Sequence, residues 1–181
     1  MSALKESGIS DIDLTKNTDL KYTFENWDYL NYVMKEILRL DGPSVGGLAY
    51  YAKEDVNICG IPFSKGFELT PNIQYTHKNV KEWHEPKSFI PERFDPESKY
   101  FFKPNTNNQP RHPKSFIPFS FGLRNWFGQA LAKLEGKVVF ARLLTIFDYE
   151  IDQDLLDNEY TAFHVMTHFK LYGKVIDKVS Q

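Results

Sequence analysis

Residues 116–135, FIPFSFGLRNWFGQALAKLE, set Phe116, Phe119, Phe121 and Phe127 around Gly122 and Gly128, with Arg124 and Trp126 between the glycines. Glycines so placed let the backbone turn through conformations that a Cβ forbids, or let it lie flat against a ligand. Elsewhere, side chains able to do chemistry are sparse. Cys59 is the lone cysteine, which excludes an internal disulfide and any multi-cysteine metal site. It reads as a small core or strand residue. His77 and His84 stand seven residues apart. His164 and His168 fall on one face of an alternating segment. Neither pair has a third ligand in spacing, so both read as polar decoration and no metal site is expected. Glu36 and Arg39 are i,i+3 neighbours that can pair, which alone implies only a surface ion pair of little energy.

The elements that must position these residues follow from composition and pattern. The chain has 181 residues, enough for one domain with a tail. Hydrophobic residues make up 41% and aromatic residues 15%, which argues for a packed core rather than disorder. A net charge of −2 gives no bulk electrostatic case for binding nucleic acid or an anionic membrane. No stretch approaches the ~20 apolar residues of a membrane helix, so no direct span is expected. The first residues, MSALKESGISDIDLTKN, resemble neither a secretory signal nor a transit peptide. Residues 1–24 are polar without a period and read as an extended arm.

A first helix is expected from about Asn26, its cap, to Leu40, stopped by Gly42-Pro43. Trp27, Leu30, Val33, Met34, Ile37, Leu38 and Leu40 make its apolar sector, with Asp28, Asn31, Lys35 and Arg39 opposite. VNICGIPFSKGFEL reads as a hairpin of two apolar runs, with Pro62 and the turn Ser64-Lys65-Gly66 between them. Residues 74–98 are proline-broken and mostly irregular, and residues 99–115 read as a solvated connector. A second helix is expected over Gln129 to Phe147. Leu131, Leu134, Val138 and Ala141 line one side, and Val139, Leu143, Ile146 and Phe147 another. A helix apolar on two sides wants two partners. Alternating segments in residues 148–181 read as closing strands.

With these motifs in order, the sequence resembles the cytochrome P-450 family, the haem-thiolate monooxygenases. The family's haem loop is F-x-x-G-x-R-x-C-x-G. Phe119, Gly122, Arg124 and Gly128 match it, and Trp126 stands where the iron-ligating cysteine belongs. Glu36-x-x-Arg39 resembles the Glu-x-x-Arg of the family's helix K. Pro91-Glu92-Arg93-Phe94 matches its P-E-R-F, which implies a structural ion-pair triad of Glu36, Arg39 and Arg93. The arginine that commonly holds a haem propionate aligns at or beside Tyr50, where there is none.

The resemblance, from about Phe24 onward, implies an α+β fold: a partial cytochrome P-450-like domain over residues 25–181. It would comprise helix K, a β-hairpin, the meander, a haem-loop remnant, helix L and C-terminal strands, and lack the N-terminal helices including helix I. A cysteine thiolate drives O–O cleavage in such enzymes. Indole has no lone pair for a metal, so the Trp126 ring is expected to project into the iron's space. The expectations are therefore no catalytic residues, no cofactor, and a vestigial loop at Phe119, Gly122, Arg124, Trp126 and Gly128. The expected role is a non-catalytic structural subunit, with other protein subunits covering apolar faces chiefly around Leu131, Leu134 and Val138. The alternatives are a haem-binding protein with a non-cysteine ligand, or one half of a split monooxygenase-like fold. A cytoplasmic or cytoskeletal/ciliary setting is expected, with mitochondria left open.

Overall fold

The computed structural model describes residues 27–151, 159–162, 165–168 and 173–177. The arm over residues 1–24, the cap expected at Asn26 and the side chain expected at His164 lie outside the described residues.

Helix α1 spans Asp28–Asp41. Its first turn closes where the Asn31 N–H donates to the Trp27 carbonyl at 2.9 Å. It ends at Gly42, where an added Cβ would stand 2.3 Å from the Leu38 carbonyl oxygen. Only glycine lets the chain leave the helix that closely, and Pro43 then forbids continuation. The apolar sector of α1 is only half-buried. The helix residues with no exposed surface are Glu36 and Arg39. Arg39 was expected opposite the core; it is drawn inward because its guanidinium finds partners there.

Strand β1 (Tyr50–Tyr51) pairs antiparallel with β4 (Glu68–Leu69), Tyr50 opposite Leu69. Between them lies the hairpin of β2 (Val56–Ile58) and β3 (Ile61–Phe63), with Ile58 opposite Ile61. The hairpin is where the sequence placed it, but its turn is not. The chain reverses at Cys59-Gly60, both with positive φ, 53° and 87°. These are the signs of the two-residue turn that matches strand twist, and the Gly60 N–H donates to Asn57 Oδ1 at 2.9 Å. Cys59 is therefore an exposed turn residue, not a core or strand residue. Ser64-Lys65-Gly66 instead links β3 to β4, held where the Lys65 N–H donates to Asp55 Oδ1 at 2.7 Å.

Helix α2 (Ile73–His77) interrupts the stretch expected to be irregular. Asn72 caps it, its Oδ1 accepting from the Tyr75 N–H at 2.7 Å. Short 3-10 turns follow at Pro91–Phe94, Lys99–Phe101, Pro113–Ser115 and Gly122–Arg124. Around them aromatic rings gather, Trp83 and Phe94 buried and Phe116 half-buried. Trp83, Phe94 and Phe116 meet at centroid distances of 5.0 to 6.4 Å. The segment expected to be a solvated connector contributes to this cluster. The Arg111 guanidinium lies 4.3 Å from the Trp83 ring centre and donates to the carbonyls of Tyr100 and Arg93 at 2.8 and 2.7 Å. Burial, and then the neighbouring Arg93 charge, bring its pKa down to about 10. It stays charged at neutral pH, and stacking on the indole face offsets part of its lost hydration.

Helix α3 spans Gln129–Ile146 and gives way at Phe147 to strand β5 (Phe147–Ile151). Strand β5 pairs with β8 (Gly173–Asp177), and β6 (Glu159–Ala162) with β7 (Val165–His168), all antiparallel. Helix α3 packs on α1 where Met34 Cε lies against Gly136. Ala141 is buried, and Leu134 and Val138 are half-buried. The exposed apolar side is Leu131 at 60%, Val139 at 54% and Leu143 at 41%. The bare face thus shares Leu131 with the one expected but replaces Leu134 and Val138 by Val139 and Leu143. No helix among the described residues is long and apolar enough to cross a membrane.

Candidate functional site

The glycine loop from Phe116 to Gly128 joins the aromatic cluster to α3. Its backbone folds on itself. The Ser120 N–H donates to the Ile117 carbonyl at 3.0 Å, and the Trp126 N–H to the Phe119 carbonyl at 3.1 Å. Gly122 takes a φ of 74°, in the left-handed region that a side chain disfavours. Gly128 serves differently. Its φ is an ordinary −75°, but an added Cβ would stand 2.6 Å from the Trp126 ring. The indole lies over that bare backbone and stacks on Phe119, with ring centres 5.7 Å apart at 21°. Trp126 is therefore clamped between Phe119 and Gly128 and remains 48% exposed. Arg124 reaches the other way. It donates from Nη1 to the Ala49 carbonyl at 3.1 Å, and its guanidinium lies 4.9 Å from the Tyr50 ring centre.

The loop forms one wall of a cavity of about 830 Å³. Leu38 of α1, Leu48, Ile73 of α2, Pro118, Phe119 and Trp126 supply most of its apolar surface. Arg124 is the only charged residue among the described residues that line it.

Behind this wall sits the ion cluster. Glu36 accepts from Arg39 through both carboxylate oxygens, each at 2.7 Å. Its Oε1 also accepts from Arg93 Nε at 3.0 Å and from the Ile90 N–H at 2.9 Å. The two guanidiniums spend their other donors on carbonyls. Arg39 reaches those of His77, Pro86 and Ser88 at 2.9, 2.8 and 3.2 Å. Arg93 reaches those of His84, Glu85 and Ser88. All three side chains are fully buried. A buried carboxylate between guanidiniums survives desolvation only when its oxygens are saturated in this way.

One contributor escaped the sequence reading. In the sequence His77 reads as a polar loop residue. It ends α2 and is 2% exposed, with its ring 5.4 Å from that of Phe116. Its Nε2 accepts the Ile117 N–H at 2.9 Å, tying the base of the glycine loop to the ion cluster that its own carbonyl joins. Burial, then the Arg39 charge, lowers its pKa to about 4, so the ring is neutral with its proton on Nδ1. The cap signal at Asn72 was the available clue, since it begins a helix whose i,i+4 pair is Ile73 and His77. No group of three His, Cys, Asp or Glu among the described residues could hold a metal ion.

A family model, cytochrome P450, matches residues 19–172. The chain belongs to the cytochrome P450 family. It is 38% identical over 125 residues to cytochrome P450 4V2 of Rattus norvegicus, covering 69% of this chain and 22% of that protein. It is 34% identical over 171 residues to cytochrome P450 4p1 of Drosophila melanogaster, covering 94% of this chain and 29% of that one. A solved structure of cyanobacterial CYP120A1 with retinoic acid bound superposes with a TM-score of 0.80 at 26% identity. That match covers 97% of this chain and 38% of the other. The chain thus spans about a quarter of the length of the curated relatives it matches.

Haem in cytochromes P450 takes a cysteine thiolate as its axial ligand. The residues here do not fit an iron-ligated haem. The ligand position holds an indole, which donates a hydrogen bond but offers no lone pair. None of the described residues lining the cavity carries a sulfur or an imidazole. Cys59 sits exposed at the hairpin turn.

Proposed function

We propose that this chain is a non-catalytic member of the cytochrome P450 family that serves as a structural subunit, binding other protein chains. The observation that carries this reading is the clamped position of Trp126. The indole occupies the thiolate's place and is held there by Phe119 and Gly128. Without a thiolate the electron push that cleaves the O–O bond is gone. What the residues do preserve is structural: the Glu36–Arg39–Arg93 cluster and the aromatic packing around Trp83.

The apolar side of α3 supports the second half of the reading. Leu131, Val139 and Leu143 are exposed along one row of the helix, with the exposed Glu135 between the first two, and Leu123 and Phe127 at the loop are fully exposed. Large apolar side chains left exposed together on one element are a common mark of protein-binding surfaces. The test is an absorption spectrum of the natively purified protein, oxidised and then reduced under carbon monoxide, together with its co-purifying chains. The expected result is no Soret band and stoichiometric partners that a Leu131→Asp/Val139→Asp variant releases. A Soret band, or normal association of the double variant, overturns the reading.

A further inference from the structure

Glu135 stands in the exposed row of α3, between Leu131 and Val139. Its carboxylate has no hydrogen-bond or ion-pair partner among the described residues. Its neighbours one turn away on the helix are Leu131, Ala132, Val138 and Val139, none of them a cation. The cation on the same row is Arg142, also exposed. It follows Glu135 by seven residues, or two turns. That is beyond the three- and four-residue spacings at which helical side chains meet.

Turned end for end, the row matches itself. A second copy of α3, laid antiparallel about a two-fold axis beside Val138 and Val139, sets Glu135 of each copy against Arg142 of the other. An arginine has five donors, so Arg142 can meet that carboxylate in addition to its contacts within the chain. Val139 of both copies then lies next to the axis, with Leu131 and Leu143 further out along the row. A parallel arrangement would oppose Glu135 to Glu135 and Arg142 to Arg142, which repels. Charge therefore selects the antiparallel orientation, and the exposed apolar side chains supply the burial.

We infer that α3 is a homodimer interface: two copies of this chain associate antiparallel through Leu131, Val139 and Leu143, joined by two Glu135–Arg142 ion pairs. The inference rests on the reading of α3 as a protein-binding face and names its occupant. One helix row is smaller than a standard interface of roughly 1,600 Å², so a dimer of about micromolar Kd is expected.

The test is sedimentation equilibrium of the whole chain from about 5 to 200 μM, a range that brackets such a Kd. The wild-type mass should climb from that of one chain towards that of two. Glu135→Arg and Arg142→Glu should each raise Kd by at least about tenfold, because each sets like charges together on both sides of the axis. Mixed in equal amounts, the two variants should associate with each other at about wild-type strength, since every pair is again opposite in sign. Val139→Asp should keep the chain monomeric. Thermal unfolding of the same samples checks that each variant is folded; where a swap unfolds early, Val139→Asp decides, and undiminished association there overturns the inference. A wild type that stays monomeric, swaps that leave association unchanged, or two folded swap variants that ignore each other would also overturn it. A monomer that still co-purifies with other chains, and loses them in the Leu131→Asp/Val139→Asp variant, overturns the homodimer and leaves the reading of the face intact.

Discussion

The Glu36 carboxylate and the Arg93 guanidinium meet 3.0 Å apart although 57 positions separate them in the chain, and neither has any solvent exposure. The contact fastens α1 to the 3-10 turn at Pro91–Phe94. It does so through a carboxylate already occupied by both donors of Arg39. The fold is therefore joined at a polar point, and the described side chains that are fully buried include more charged than aliphatic ones.

Removing the carboxylate leaves two buried guanidiniums facing each other. Glu36→Gln is therefore expected to destabilise by about 3–5 kcal/mol, the range for breaking a buried ion pair from one side. Arg93→Lys should cost nearly as much, because one ammonium cannot span Glu36 and the three carbonyls that the planar fork reaches. Urea unfolding followed by tryptophan fluorescence measures both. A loss below about 1 kcal/mol for either variant would place the cluster with surface pairs.

How much of this was legible in the sequence depends on distance along the chain. Helix α1, its Gly42-Pro43 stop, the hairpin and the start of α3 at Gln129 are written in local pattern, and all four are present. Errors arose where a residue's environment comes from far away. Arg39 looks solvent-facing on a helical wheel, and its partners at Pro86 and Ser88 lie beyond any local window. Arg111 and His77 look like polar loop residues until Trp83 and Ile117 are brought to them. The hairpin turn was misplaced for a different reason. Ser64-Lys65-Gly66 is a genuine turn, and the weaker signal at Cys59-Gly60 was masked by the apolar residues on either side. In the glycine loop the motif residues were legible, but the distinct jobs of its glycines were not. Gly122 supplies a φ, whereas Gly128 supplies the absence of a Cβ.

That difference is measurable. Gly128→Ala would drive a methyl group to 2.6 Å from the Trp126 ring, so it should cost about 1–3 kcal/mol as an overpacking change. In a Trp126→Ala background the same substitution should cost only a few tenths, since the ring it clashes with is gone. The double-mutant cycle is expected to show a coupling of about 0.5–3 kcal/mol. Additive costs would mean that Gly128 is required for its backbone and that the indole is not clamped.

The hairpin turn offers a stabilising change. Cys59 holds a φ of 53° immediately before Gly60 at 87°. Asparagine tolerates that region better than cysteine, and Asn-Gly is the favoured pair for this turn. Cys59→Asn should therefore add about 0.4–1 kcal/mol, read as a higher urea midpoint with unchanged slope. It would also remove the lone thiol. A lower midpoint would show that the thiol contributes packing that its exposure does not suggest.

His77 makes stability depend on pH in a direction that can be worked out. Its folded pKa of about 4 lies below the ordinary 6.5, because burial and the Arg39 charge both oppose a second proton. Between those values the unfolded chain binds a proton that the folded chain refuses. Stability from this group is thus complete above about pH 6.5, falls as pH drops towards 4, and loses nothing further from His77 below that. The full loss is up to about 3 kcal/mol. Protonation also turns Nε2 from acceptor to donor, which breaks its hydrogen bond with the Ile117 N–H and frees the base of the glycine loop. His77→Gln keeps an acceptor for that N–H but cannot titrate. Its stability between pH 4 and 6.5 should therefore vary less than the wild type's, in denaturant titrations at matched ionic strength. Parallel pH profiles for the two proteins would mean that the acid sensitivity of the fold originates elsewhere and that the His77 ring is not buried neutral.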